Sequence, residues 1–323
     1  MKTPFPRLFL VVLAALCLPV APRAQAEKEE TLNVLFIGNS FTARHNLAQV
    51  VKAMAEAGNP GLTFQPTSVI YGGRTLADHW RLGTQNIVKI ASLTEAEEKQ
   101  TVAALEKAIA DDPKDKYALS ALARHRDVLA NLESQRTHWD VVILQSYRDD
   151  LEGEKSRYAE YAPKFVELAK AQGAKVLLYV TTPTTQNAEA LTSPPDPAPV
   201  QEKARAIAAL ASRLDVAVAP MSLIALRCQT ERPDLTLRFV NDAHLNQTMA
   251  YLSACAIYAG LFEKSPVGLP IDSVTDIRYL DDKSKDKDRD GDPITRTFSE
   301  KDRADLQRIA WEGHLEFEKL RKP

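Results

Sequence analysis

With three cysteines in 323 residues, one of them in the N-terminal segment, the chain has no disulfide framework. Cys228 and Cys255 are the only pair a secreted form could bridge, and Cys255 sits in a helical run, Tyr251 to Phe262, whose pattern reads as buried. A membrane-spanning run is missing as well. The apolar stretch Leu8 to Val20 is shorter than the roughly 20 residues a span needs, and Pro19 and Pro22 break it and its exit. Basic charge is not in excess, which argues against a nucleic-acid binder. No glycine-rich phosphate loop follows the first strand, and no low-complexity linker divides the chain. One large α/β domain with insertions is the economical organisation.

What is present begins with an export signal. Lys2 and Arg7 precede the apolar core, and Ala24-Gln25-Ala26 supplies a small-x-small cleavage pattern, so residues 1–26 read as a signal peptide and the product as secreted or periplasmic. Cleavage would remove Lys2, Arg7 and Arg23. The 41 basic residues would fall to 38 against 43 acidic ones, a formal charge of −5.

The rest is organised around Thr31 to Thr42, TLNVLFIGNSFT. Val34-Leu35-Phe36-Ile37 is the continuous apolar run of a strand buried on both faces of a parallel sheet, and it stops at Gly38-Asn39-Ser40 before a helical pattern from Asn46 to Ala57. A strand, a tight turn and a small hydroxyl residue lift that hydroxyl clear of the sheet's carboxyl edge. Ser40 is the candidate nucleophile; the alternative is that it caps the next helix.

Leu62 to Ile70 reads as a second strand, ending in Tyr71-Gly72-Gly73-Arg74, where the amide of Gly73 can face a developing oxyanion. Leu93 to Arg136 is a helical hairpin inserted into the α/β core, as rim or padding. Trp139 to Ser146 returns to the buried-strand pattern and ends in Gln145, whose amide is either an oxyanion donor or a tie for a loop. A helix from Lys155 to Gln172, a strand from Ala174 to Val180, a long polar loop from Thr181 to Pro199, a helix from Val200 to Leu214 and a short strand from Val216 to Ala219 follow. The long loop is suited to line a cleft.

Of six histidines, His244 is the best base. It stands just before a helix with Asp242 two residues upstream, so one loop brings base and orienting acid together. His79, His125, His138 and His314 read as solvated or packing residues, and His45 falls on the turn leaving Ser40. In the tail, Asp286 to Gly291 has the Asp-x-Asp-x-Asp-Gly opening of a calcium loop. Its twelfth position is Thr297 rather than Glu and no helix precedes it, so it reads as solvated charge. Ser299, with Asp302 three residues on, caps a last helix to about Leu320.

Together, Gly38-Asn39-Ser40-Phe41, Gly73 and Asp242-Ala243-His244 resemble the first, second and fifth blocks of the SGNH, or GDSL-type, hydrolases, in an atypical secreted bacterial branch. Two departures are visible. Leu144-Gln145-Ser146 stands where Gly-x-Asn-Asp is usual, and the acid precedes the histidine by two residues instead of three, which leaves a Ser-His dyad open beside a triad. The resemblance implies a three-layer α/β/α flavodoxin-like sandwich around a parallel sheet of about five strands, across residues 27–272, with the helical insertion at about 93–136. Residues 273–323 would form a charged loop and a helix on the same domain. It further implies serine hydrolysis of esters without metal or cofactor, with Ser40, His244 and Asp242 catalytic and Ser40, Gly73 and Gln145 as oxyanion donors. The expected substrate is a small-molecule or polysaccharide ester, with no nucleic-acid or membrane partner after signal cleavage. The alternative is a non-catalytic glycan-binding module on the same fold.

Overall fold

Side chains along a strand point alternately to its two faces, and in the first strand both faces are dry. Val34 and Phe36 enter one apolar cluster, Leu35 and Ile37 the other, all four fully buried. The computed structural model describes residues 1, 30–147, 157–181 and 186–322. The expected signal peptide, the start of the Lys155 helix and residues 182–185 of the long polar loop lie outside them.

In chain order, β1 (Glu30–Gly38) leads into α1 (Ser40–Ala43), a single 3₁₀ turn (Arg44–Asn46) and α2 (Leu47–Gly58), then β2 (Leu62–Ile70). Next come the short α3 (Leu76–Arg81) and α4 (Thr84–Val88), the long α5 (Glu95–Asp111) and α6 (Lys116–Ala130), and α7 (Leu132–Gln135). The sheet resumes with β3 (Val141–Leu144), α8 (Arg157–Ala171), β4 (Lys175–Val180), α9 (Ala198–Leu214) and β5 (Ala217–Pro220). The last part holds α10 (Met221–Glu231), α11 (Gln247–Phe262), an antiparallel ribbon of β6 (Ser273–Thr275) and β7 (Thr295–Thr297), and α12 (Glu300–Leu320).

The main sheet is wholly parallel with order β2-β1-β3-β4-β5, the doubly wound order of flavodoxin-like folds. The chain leaves β1 to one side for β2 and returns to its other side for β3, so the topological switch lies at the carboxyl ends of β1 and β3. Ser40 follows the first of these and Gln145 the second. Helices α3 to α9 cover the Leu35/Ile37 face, and α2, α11 and α12 the Val34/Phe36 face. Helix α11 is buried on every side from Gln247 to Gly260, because the sheet lies on one flank and α2 and α12 on others. At about 1.5–3 kcal/mol for each fully buried large aliphatic or aromatic side chain, these two clusters are the main favourable term of the fold.

The insertion is a helical hairpin. Thr94 and Glu97 make a capping box at α5, and the Asp115 carboxylate caps α6 by accepting from the Tyr117 and Ala118 amides. Buried Glu98 and His125 join the two helices at 2.7 Å, and Asn86 donates to the second Glu98 oxygen at 2.8 Å. The start of α6 reaches the turn after β2, where the Tyr117 hydroxyl donates to the Gly72 carbonyl at 2.6 Å.

Cys228 and Cys255 are both buried and unbridged. One expectation is corrected. The Asp286–Gly291 run is a brace rather than solvated charge. Asp288 is 3% exposed, its Oδ1 accepting from the Asp290 and Asp292 amides and its Oδ2 from Gln247 Nε2. Among the described residues no cluster of His, Cys, Asp or Glu is arranged to hold a metal ion. The Ser299 hydroxyl caps α12, accepting from the Asp302 amide at 3.1 Å. No helix among the described residues is long and apolar enough to cross a membrane.

Candidate active site

The turn after β1 is built by the two residues before Ser40. Asn39, fully buried, is the N-cap of α1: its Oδ1 accepts from the Phe41 amide at 3.0 Å. Its Nδ2 reaches across to the Arg74 carbonyl at 3.2 Å and so ties the nucleophile turn to the turn after β2. With capping done by Asn39, the Ser40 hydroxyl is not spent on the helix end. It is half-buried and lies 2.9 Å from His244 Nε2.

His244 and Asp242 come from the irregular loop before α11, pinned at its base by Phe239 N to His244 O (3.1 Å) and Asn246 N to Leu237 O (3.1 Å). The two-residue spacing suffices. The Asp242 Oδ1 accepts both from the His244 amide, at 3.2 Å, and from His244 Nδ1. A carboxylate can only accept, so Nδ1 carries the proton, and in the neutral ring Nε2 is left as the acceptor for the serine hydroxyl. Burial works against the charge on Asp242, but the hydrogen bonds from His244 and Arg44 outweigh it and hold the carboxyl down at about 2.

The expected oxyanion donors fare differently. Gly73 lies on the turn that Asn39 ties down, in the left-handed region at φ +67° with open space where a side chain would begin. Among the described residues, the amides of Ser40 and Gly73 have no hydrogen-bond acceptor. Gln145 does not join them. It is fully buried beneath the nucleophile turn, its Oε1 accepting from the Asn39 amide (2.8 Å) and the Thr42 hydroxyl (3.0 Å). Its Nε2 donates to the Ser146 carbonyl (2.6 Å) and to Thr181 Oγ1 (3.3 Å). Both amide hydrogens are thus engaged inward, and the residue ties a loop rather than facing a substrate.

His45, His79, His125 and His314 are buried, and His138 is exposed at the surface. His79 Nε2 donates to the Gly38 carbonyl at 2.9 Å, under the nucleophile turn, with Nδ1 3.0 Å from the Thr84 hydroxyl; burial pushes it down to about 4. His45, also pushed down to about 4 by burial, donates from Nε2 to the Leu245 carbonyl at 2.8 Å. Arg44 and Asp276 belong to no motif in the sequence, and Asp290 belongs to the Asp286–Gly291 run expected to be solvated charge. The buried Arg44 guanidinium joins Asp242 to Asp276, and the Asp290 carboxylate accepts from the Val240 and Asn241 amides at 2.8 and 2.9 Å, bracing the histidine loop from the tail. The only sequence signal was a lone arginine one turn past the nucleophile, with nothing local to say which acids it meets.

No family model and no curated protein matches the sequence. Solved structures similar to it include a "putative SGNH hydrolase from Slackia heliotrinireducens", 17% identical with a TM-score of 0.43, covering 72% of this chain and 100% of the other. TesA is similar at 15% identity and a TM-score of 0.40, covering 72% of this chain and 98% of its own.

Proposed function

We propose that this chain is an exported serine ester hydrolase of the SGNH type, acting on O-acyl groups of carbohydrates or other small esters. One observation carries the reading: a serine hydroxyl at a doubly wound switch point, 2.9 Å from an imidazole whose other nitrogen is held by a carboxylate. In the reaction, Ser40 Oγ attacks the ester carbonyl carbon while its proton passes to His244 Nε2, and Asp242 stabilises the imidazolium that forms. The carbonyl oxygen becomes an anion facing the amides of Ser40 and Gly73. Collapse of this intermediate breaks the bond to the alcohol, which leaves with the proton from His244. Water, deprotonated by the same histidine, then releases the acid from Ser40.

A fluorophosphonate probe tests this against a binding module on the same fold. The wild-type protein should become labelled on Ser40, and Ser40→Ala should neither label nor hydrolyse chromogenic acyl esters, a loss of about 10³-fold or more. A folded wild-type protein that resists the probe would overturn the enzyme reading and favour the binding module. A panel of acyl esters of increasing chain length, together with acetylated polysaccharides, identifies the substrate.

A further inference from the structure

Arg44 is 2% exposed, and three of its nitrogens are bonded to carboxylates. Nε donates to Asp276 Oδ1 at 2.9 Å, Nη2 to Asp276 Oδ2, and Nη1 to Asp242 Oδ2 at 3.0 Å, while the cation lies 5.1 Å from the centre of the Phe239 ring. One carboxylate is enough to neutralise a buried guanidinium; here it has two. Asp276, fully buried and gripped in a bidentate pair, fixes the guanidinium plane. The remaining arm then holds the oxygen of Asp242 that His244 does not use. With Oδ1 engaged by the His244 amide and ring and Oδ2 by Arg44, the carboxylate cannot turn away, although it sits on an irregular loop.

We propose that Arg44 and Asp276 are positioning residues that clamp Asp242 against His244, so that the segment after α11 is a working part of the active site. The proposal rests on the serine-hydrolase reading. In the resting site, Asp242 and Asp276 share the one buried cation, and the imidazolium that forms during attack brings a second. The charged groups facing Asp242 are His244, Arg44 and, at 3.6 Å, the half-exposed Arg289; His45 Nδ1 lies 3.6 Å from Asp276 on the far side.

If Arg44 acts through Asp242, its loss matters only while Asp242 is there. The test is the rate of fluorophosphonate labelling for Arg44→Gln, Asp276→Asn and Arg44→Lys, each alone and combined with Asp242→Asn, together with pH profiles and thermal melts. In the otherwise wild-type protein, Arg44→Gln and Asp276→Asn should slow labelling about 10- to 100-fold, and by less than about threefold once Asp242 is Asn. Arg44→Lys should recover part of the rate. Without the guanidinium, Asp242 loses one of the hydrogen bonds that hold its carboxyl down, so the acidic limb of the profile should move to higher pH. Equal slowing with and without Asp242, or an unmoved limb, would show a purely structural ion pair and overturn the proposal. Should Arg44→Gln fail to fold, the near-isosteric Asp276→Asn decides by the same comparison. A folded wild type that does not label removes the underlying reading and the proposal with it, an outcome separate from equal slowing in labelled proteins.

Discussion

Ser40 owes its freedom to its neighbour. Asn39 takes over the capping that a serine in this place would otherwise perform, and a neutral His79 props the carbonyl of Gly38 from below. That support has a cost in acid. In the folded protein His79 stays neutral until the pH falls to about 4, whereas the unfolded chain takes up the proton near its ordinary value of 6.5. Stability from this group is therefore complete above 6.5, declines as the pH falls towards 4, and changes no further below that. The loss is on the order of 3 kcal/mol at 1.36 kcal/mol per pH unit. His45 contributes in the same window and direction. Thermal melts from pH 7 to 4 should show the decline, and His79→Gln should make it shallower, leaving the part that His45 contributes; an equally steep decline in the variant would assign the acid sensitivity elsewhere.

At the scale of elements, the catalytic turn is a junction of three strand ends. Gln145 after β3 holds Asn39 after β1, and Asn39 holds Arg74 after β2. This gives Gln145→Leu a distinctive signature. Removing the acceptor strands the buried Asn39 amide, so stability should fall by about 1–3 kcal/mol in denaturant melts. Labelling by a fluorophosphonate, corrected for the folded fraction, should drop less than about tenfold. A drop of 10² or more without loss of stability is what removing an oxyanion donor does, and would return Gln145 to that role. The loop before α11 is likewise held from outside itself, by Asp290 in the tail and by Arg44 after α1.

For the whole molecule, the tail closes the second core. Helix α12 lays Leu306, Ile309, Ala310 and Phe317 into the two clusters, and Gln307 ties to Tyr251 of α11 at 2.8 Å. A helix as uniformly apolar as α11 needs that cover. A chain ended before Ser299 should lose cooperative unfolding and associate through the exposed faces of α10 and α11, seen by calorimetry and gel filtration. A soluble monomer with a sharp transition would show that the sheet and α11 suffice alone. Truncation also tests whether the segment from Asp276 can hold Arg44 without the helix behind it.

Much of this was readable along the chain, because buried strands, capped helices and turns are local patterns. Val34 to Ile37, Leu62 to Ile70 and Ser299 each declared an element from their own neighbours, and Ser40 and Gly73 after strand ends and His244 with Asp242 before a helix stood out from local context. Only the tertiary structure decided which partner each polar group meets. Gln145 turned inward because the Asn39 amide and the Thr42 hydroxyl of another strand end offered it two donors. Asp288 was buried by Gln247, and Arg44 was joined to Asp276 across 232 positions of sequence. Hydrogen bonding and ion pairing act over about 3 Å whatever the separation along the chain, so periodicity can show that a residue is buried but not what it is buried against.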